Sequence, residues 1–420
     1  MLDQKLKKTE SGCASSGSST LVLLADAFRS ESVVELEVLG CQTELQPSLS
    51  GDELVAAISK KKPDILVVRS TKVTAEMMDA SERLSVIIRA GAGYDTIDVE
   101  AASARGISVS NCPGKNSVAV AELAWGLILS CDRRIPDQVA DLKSGQWDKK
   151  GYSKSSGLFG RTIGIVGLGQ IGLEVVKRAK TFGMHVVAWS RSLTEEKAEQ
   201  LGIEYCEKLQ DIAPLSDVVS IHVSSTPETE KFINANFLDA MKENAIIVNT
   251  SRGKVVDEGA LAIAIKEKHL RVGLDVFENE PSSGDTTFSS SIVNEPHVYG
   301  THHVGASTDQ AQESIASEVV KIITTFIKEG RAVNCVNQVV EASAPALLSI
   351  RHKNLPGVLA HVLDELSISG VNIEEMENVL YEGSQAACAR MQLGTIPNSE
   401  LINNIKSNEN IFSVTLTTQI

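Results

Sequence analysis

The stretch Thr162-Ile-Gly-Ile-Val-Gly-Leu-Gly-Gln-Ile-Gly172 constrains this chain more than any other. Thr162 to Val166 reads as a short buried strand, and Gly167, Gly169 and Gly172 follow in G-x-G-x-x-G spacing. A helical period starts at once, with Ile171, Val175, Val176, Ala179 and Phe182 three or four residues apart and Gly183 at the expected C-terminal stop. Gly167 permits the tight turn, Gly169 offers bare backbone to a pyrophosphate, and Gly172 lets the helix lie close on the strand. The helix N-terminus adds free N–H groups and the positive end of its dipole. A glycine-rich turn alone is weak evidence. The strand before it and the amphipathic helix after it supply the context that a dinucleotide site requires.

At 420 residues the chain exceeds one ordinary core, so two or three domains are expected. Apolar residues make up 42% and charged ones 22%, a globular balance, and no run approaches the length of a transmembrane helix. The net charge of −14 argues against a nucleic-acid or anionic-membrane surface, although a few local cations suffice for a small anion. Seven cysteines without any C-x-x-C pair suit free thiols in a reducing compartment, and no metal site is expected. Met1 to Thr20 carries no apolar core of a secretory signal, so residues 1–18 read as a disordered tail and the cytoplasm as the location.

Along the chain, strands are expected at Leu21–Leu24, Ile65–Val68, Val86 onward and Ile107–Ser110, with helices such as Asp52–Lys60 and Val99–Arg105 between them. That alternation predicts a small parallel-sheet domain over 19–117. Val118–Cys131 is a helix too apolar for a surface and reads as a buried bridge into a second domain, 118–301, with strands at Thr162–Val166, Val186–Trp189, Val218–His222, Ile246–Asn249 and Val272–Asp275. A long helix at Ala306–Ile327 returns the chain to the first domain over 302–338. After a linker at 339–345, the block 346–420 reads β-α-β-β-α-β.

Three downstream segments carry chemistry: Val248-Asn-Thr-Ser-Arg-Gly253, Leu274-Asp-Val-Phe-Glu-Asn-Glu-Pro281 and Thr301-His-His-Val-Gly-Ala-Ser307. Together they supply a guanidinium, a carboxylate and an imidazole. Hydride removal from a C–OH needs a base for the hydroxyl proton, and histidine titrates near neutral pH. A carboxylate behind the ring fixes its tautomer, and a guanidinium grips a substrate carboxylate through two parallel hydrogen bonds.

With these segments, Gly91-Ala-Gly-Tyr-Asp95, Asn111 to Glu122, Gly145-Gln-Trp147, Glu280-Pro281 and Gly305-Ala-Ser-Thr308, the chain resembles the D-specific 2-hydroxyacid dehydrogenase family over nearly its whole length. The resemblance implies an α/β protein: two doubly wound parallel-sheet domains, one substrate-binding and one a Rossmann NAD-binding domain, then a ferredoxin-like ACT domain. It implies that Arg252 binds the substrate carboxylate, Glu280 orients the imidazole and His303 is the acid/base. The cofactor set would be Gly167, Gly169, Gln170, Ile171, Gly172, Ser190, Arg191, Thr250, Ser251, Arg252, Asp275, His303, Val304, Gly305 and Ala306. Arg69, Ala92, Gly93 and Asn116 would meet substrate from the first domain. The ACT-like block implies an L-serine effector site at His352, Asn354 and Asn372, with edge-to-edge pairing into a homotetramer. The reaction implied is oxidation of D-3-phosphoglycerate to 3-phosphohydroxypyruvate, opening serine synthesis under serine feedback. The rivals are a glyoxylate or hydroxypyruvate reductase, a cofactor-sensing corepressor-like protein, and a C-terminal block that only assembles the oligomer.

The sequence departs from the family at three places. Thr301-His302-His303 stands where members have Thr-Pro-His, and spacing to Gly305 selects His303. The segment Arg69-Ser-Thr-Lys-Val-Thr74 is one residue short, leaving Arg69 and Lys72 as phosphate-binding candidates. Ser190, followed by Arg191, takes the usual acidic position, which opens NADP beside NAD because no carboxylate there repels a 2′-phosphate.

Overall fold

A computed structural model describes residues 19–281, 287–339 and 344–418. The expected tail at 1–18 and most of the expected linker at 339–345 lie outside the described residues. Two compact units result, Met1–Asn337 and Gln338–Ile420.

The first unit contains two parallel sheets. β1 (Leu21–Leu24), β2 (Gln42–Leu45), β3 (Ile65–Val68), β4 (Val86–Arg89) and β5 (Ser108–Ser110) lie in the order β2-β1-β3-β4-β5. Successive residues face opposite sides, so Val22, Leu24, Val67 and Ile88 enter one core while Leu23, Leu66, Val68 and Ile87 enter the other. Both faces are covered, which is why these strands read as continuous apolar runs. The edge strand β2 escapes the sequence reading because Gln-Thr-Glu-Leu is half-exposed and carries one apolar residue.

β6 (Thr162–Val166), β7 (His185–Trp189), β8 (Glu204–Tyr205), β9 (Val218–Ile221), β10 (Ile246–Asn249), β11 (Arg271–Leu274) and β12 (Val298–Gly300) form the second sheet, in the order β12-β11-β10-β9-β6-β7-β8. Counted within this domain, that is the doubly wound dinucleotide order with one extra strand at the edge. The order reverses between β6 and β9, and the glycine turn after β6 opens into the crevice there.

Two helices carry the chain between these domains. Ser117–Arg133 buries Ala121, Ala124, Trp125, Leu127 and Ile128 against the second sheet. Asp309–Glu329 returns, burying Ile315, Val319, Ile322 and Ile323 under the first sheet, each contributing about 1.5–3 kcal/mol of burial. It stops at Gly330, whose φ of 68° supplies the left-handed residue that ends a helix.

The second unit is a four-stranded antiparallel sheet of β13 (Ala346–Lys353), β14 (Ile373–Leu380), β15 (Ala386–Leu393) and β16 (Ile411–Thr418), in the order β14-β15-β13-β16. With helices Val358–Ile368 and Ser399–Lys406 this is the ferredoxin-like β-α-β-β-α-β arrangement. Val362, Leu366, Leu401 and Ile405 pack on Leu348, Ile350, Ala389 and Met391.

Gly172 shows why the first turn tolerates no side chain, since a Cβ there would collide with the carbonyl oxygen of Gly167. Gly172→Ala is expected to lower stability by about 1–3 kcal/mol, measured by denaturant unfolding, despite alanine's better helix propensity.

Candidate active site

The glycine turn forms a cradle. Gly167 has φ 96° and a Cβ on it would sit 2.7 Å from the carbonyl oxygen of His222, so the turn packs against the end of β9. Gly169 differs: a Cβ there meets nothing within 4 Å, although Gly169 is the N-cap of the 12-residue helix Gln170–Thr181. Open space beside unpaired helix N–H groups is what a pyrophosphate occupies. Among the described residues, the hydroxyl of Thr250, the amide oxygen of Asn116 and Nδ1 of His222 are buried without a hydrogen-bond partner. Burial holds the His222 ring neutral, with its pKa lowered to about 3, and Nε2 meets the Ser220 hydroxyl at 2.8 Å. An open anion cradle and a set of unsatisfied buried polar atoms fit a dinucleotide. A bound dinucleotide would be held by this turn, by Thr250 and by Ser190 and Arg191 beyond β7, and its nicotinamide would supply a hydride acceptor or donor.

Asp275, at the end of β11, is 1% exposed and organises the histidine loop. Its Oδ1 accepts from the Thr301 hydroxyl at 2.7 Å and from the Val304 amide at 2.9 Å, and Oδ2 accepts from the Gly305 amide at 2.8 Å. The His303 amide donates to the Asp275 carbonyl at 2.8 Å. These bonds hold His303 at φ 52°, a left-handed conformation that costs a non-glycine residue about 1–3 kcal/mol. The ring is thereby fixed toward Glu280, whose Oε2 lies 2.7 Å from Nδ1. The Phe277 amide donates to the other Glu280 oxygen at 3.0 Å. Burial pushes the Glu280 carboxyl up, but the hydrogen bond and charge of His303 outweigh it, with help from the Phe277 amide and Arg252, and hold it below the usual carboxylate range. His302 is exposed and makes no side-chain hydrogen bond among the described residues.

Arg252 follows β10 on a turn built by buried Asn249, whose Oδ1 accepts from the Ser251 amide and hydroxyl at 3.0 and 2.7 Å while its Nδ2 donates to the Arg252 carbonyl at 2.9 Å. The guanidinium reaches across to the first domain and pairs with Asp95 at 2.8 Å. Beside it stands Arg89, half-buried and, among the described residues, without a hydrogen-bond partner for its buried Nε. Burial lowers the Arg89 pKa to about 10, and the charges of Arg252 and Arg69 add to that against the opposing pull of Asp95. Arg69 Nη2 lies 3.5 Å from the Ser307 hydroxyl, while Lys72 is exposed. Ala92 is held through its carbonyl by Asn111 Nδ2 at 2.6 Å. Asp95 closes the motif that begins at Gly91, and Arg89 ends a strand, yet neither receives a role from the sequence, because each has its meaning from partners on distant segments.

Residues 125–305 match the family model for the NAD-binding domain of D-isomer specific 2-hydroxyacid dehydrogenases. Hydroxypyruvate reductase of Thermotoga maritima is 42% identical over 277 residues, covering 66% of this chain and 88% of that protein. The chain belongs to the D-isomer-specific 2-hydroxyacid dehydrogenase family. D-3-phosphoglycerate dehydrogenase of Methanocaldococcus jannaschii is 41% identical over 318 residues, 75% of this chain, but the chain spans only 59% of that relative's length. Among solved structures, NAD+-bound 3-phosphoglycerate dehydrogenase of Entamoeba histolytica superposes with a TM-score of 0.64 at 25% identity, covering 77% of this chain and all of that one.

The positions in which this chain departs from its dehydrogenase family also have defined surroundings. Ser190 sits beyond β7, its carbonyl accepting from the Leu193 amide at 3.1 Å, and Arg191 is exposed near Glu228. Gln170 and Ile171 open the helix after the cradle, and Gln170 touches the Asn111–Asn116 loop where a Cβ on Gly114 would lie 3.5 Å from its Cγ. Among the described residues no group of three His, Cys, Asp or Glu side chains is arranged to hold a metal, and no helix is long and apolar enough to cross a membrane.

In the second unit the residues expected to hold serine are otherwise engaged. His352 is 2% exposed, with Nδ1 on the Lys353 carbonyl at 2.8 Å and Nε2 on Asn378 Oδ1 at 3.2 Å. The ring thus ties the end of β13 to β14. Asn354 donates to the Ser384 carbonyl at 2.9 Å and Asn372 to Glu374 at 2.9 Å, leaving their amide oxygens.

Two measurements probe the catalytic half. Gly169→Ala is expected to leave the unfolding transition unchanged and to weaken NADH binding at least tenfold in a fluorescence titration, because its methyl fills space reserved for phosphate. Glu280→Gln removes the carboxylate that holds the His303 ring through Nδ1, and kcat for keto-acid reduction is expected to fall roughly 10- to 100-fold in steady-state assays, with the NADH affinity unchanged.

Proposed function

We propose that this chain oxidises D-3-phosphoglycerate to 3-phosphohydroxypyruvate with a nicotinamide cofactor, as the first step of L-serine synthesis. The observation that carries the reading is the His303–Glu280 pair, 2.7 Å apart, on the same crevice as the guanidinium of Arg252 and the glycine cradle. Arg252 binds the substrate carboxylate, and His303 takes the C2 hydroxyl proton as hydride leaves that carbon. Glu280 stabilises the imidazolium that results. Arg69 and Arg89 supply positive charge for the substrate's anionic groups from the first domain.

Support for a phosphorylated substrate comes from the relatives named D-3-phosphoglycerate dehydrogenase and from the cationic first-domain wall. The second unit, as an ACT domain, senses L-serine through Asn354, Asn372 and the N-terminus of Val358–Ile368, and its sheet edge joins a homotetramer in the cytoplasm. NAD is the cofactor, and Ser190 with Arg191 admits NADP as well.

A second reading, hydroxypyruvate or glyoxylate reduction, is favoured by the extent to which Thermotoga maritima hydroxypyruvate reductase is covered, 88%. Rates of 3-phosphohydroxypyruvate reduction by NADH and NADPH, each with and without L-serine, separate the two. Turnover of the phosphorylated acid, suppressed by serine, is expected. Turnover of glyoxylate or hydroxypyruvate alone, indifferent to serine, would establish the second reading. Cofactor binding with no turnover of any of them would leave a cofactor-sensing binding protein.

A further inference from the structure

Asp95 belongs to the loop after β4 in the first domain, and Arg252 to the turn after β10 in the second, 157 residues later. The contact is a fork: Nε lies 3.2 and 3.1 Å from the two Asp95 oxygens, and Nη2 lies 2.8 Å from Oδ1. Nη1 donates separately to the Ser251 carbonyl at 2.8 Å. A guanidinium has five N–H donors in one plane. Asp95 takes the two along the Nε–Nη2 edge and Ser251 takes one on Nη1. One N–H on each terminal nitrogen is left by this count, enough for a second carboxylate to accept. The guanidinium is thus braced along its Nε–Nη2 edge with donors to spare.

Two further observations say that this bracing is built in. Gly93 leaves no room for a side chain, since a Cβ on it would collide with Arg252 Nη2, so the loop is shaped around the guanidinium in this pose. Asp95 is also the counter-charge to two arginines at once. Burial raises its carboxyl, but the hydrogen bonds and charge of Arg252, then the charge of Arg89, hold it below the usual carboxylate range. Asp95 thus offsets the repulsion that Arg252 and Arg69 exert on Arg89.

We infer that Asp95 is a positioning residue for the reaction, bracing Arg252 from the opposite domain so that its remaining N–H donors meet the substrate carboxylate. The inference rests on the reading of the site as one that binds a 2-keto or 2-hydroxy acid. A carboxylate on one domain then sets the aim of the substrate anchor on the other.

The test is steady-state reduction of 3-phosphohydroxypyruvate, hydroxypyruvate and glyoxylate by NADH, comparing the full chain with Asp95→Asn, Asp95→Glu, Arg252→Ala and Asp95→Asn with Arg252→Ala. Asp95→Asn keeps size and one acceptor, so folding is expected and is checked by thermal unfolding. The pair is half-exposed, so the effect is modest: a rise in KM for the keto acid of roughly fivefold or more, with KM for NADH unchanged. Asp95→Glu is expected to recover part of it, and Asp95→Asn to add almost nothing once Arg252 is Ala. An unchanged keto-acid KM in Asp95→Asn, a lowered one, or a loss that adds in full to Arg252→Ala overturns the inference. A lowered KM would make Asp95 a competitor of substrate. An active wild type with an unaffected Asp95→Asn fails the inference alone, whereas a wild type inactive on all three acids fails the underlying reading and this inference with it.

Discussion

The carboxylate of Asp275 is the constraint on which the rest of the site depends. A buried carboxylate is costly unless hydrogen bonds replace its lost water, and here the hydroxyl of Thr301 and the amides of Val304 and Gly305 do so. Those donors all come from one short segment, so satisfying Asp275 also dictates the path of the loop that carries His303. The left-handed backbone of His303 is the strain left over from that arrangement. The Glu280 contact then needs only one further anchor, the Phe277 amide. Proton chemistry at the ring is in this sense a by-product of how a buried charge at the end of β11 is solvated.

The site also reconciles a strongly acidic chain with an anionic substrate. A net charge of −14 acts at long range and is screened by salt, whereas Arg69, Arg89 and Arg252 are clustered and act at short range. Burial, and after it the charges of Arg252 and Arg69, lower the pKa of Arg89, and Asp95 is the counter-charge that opposes them.

What was legible in the sequence was whatever is local. Buried parallel strands such as Ile65–Val68 and Ile246–Asn249 write themselves as short apolar runs, and the glycine spacing marks the turn after β6 directly. The edge strand Gln42–Leu45 and the two-residue Glu204–Tyr205 lack a buried face and left no pattern. Roles created by distant partners were hidden in the same way. His352 reads as part of a serine-binding loop motif, and its pairing with Asn378, which comes from the neighbouring hairpin, leaves no local trace. Asp95 reads as one more polar residue after a glycine loop, and only the fold brings Arg252 to it.

The chain crosses between the two parallel-sheet domains twice, along Ser117–Arg133 and along Asp309–Glu329. A single connection would let the domains twist freely about it. Two roughly fixed attachment points define a line, and relative motion is confined to rotation about that line, like a lid on two pins. Arg252, Glu280 and His303 must then swing as one rigid block toward Arg69 and Asp95. Such a joint narrows or widens the crevice without scrambling the registration of the groups that line either wall.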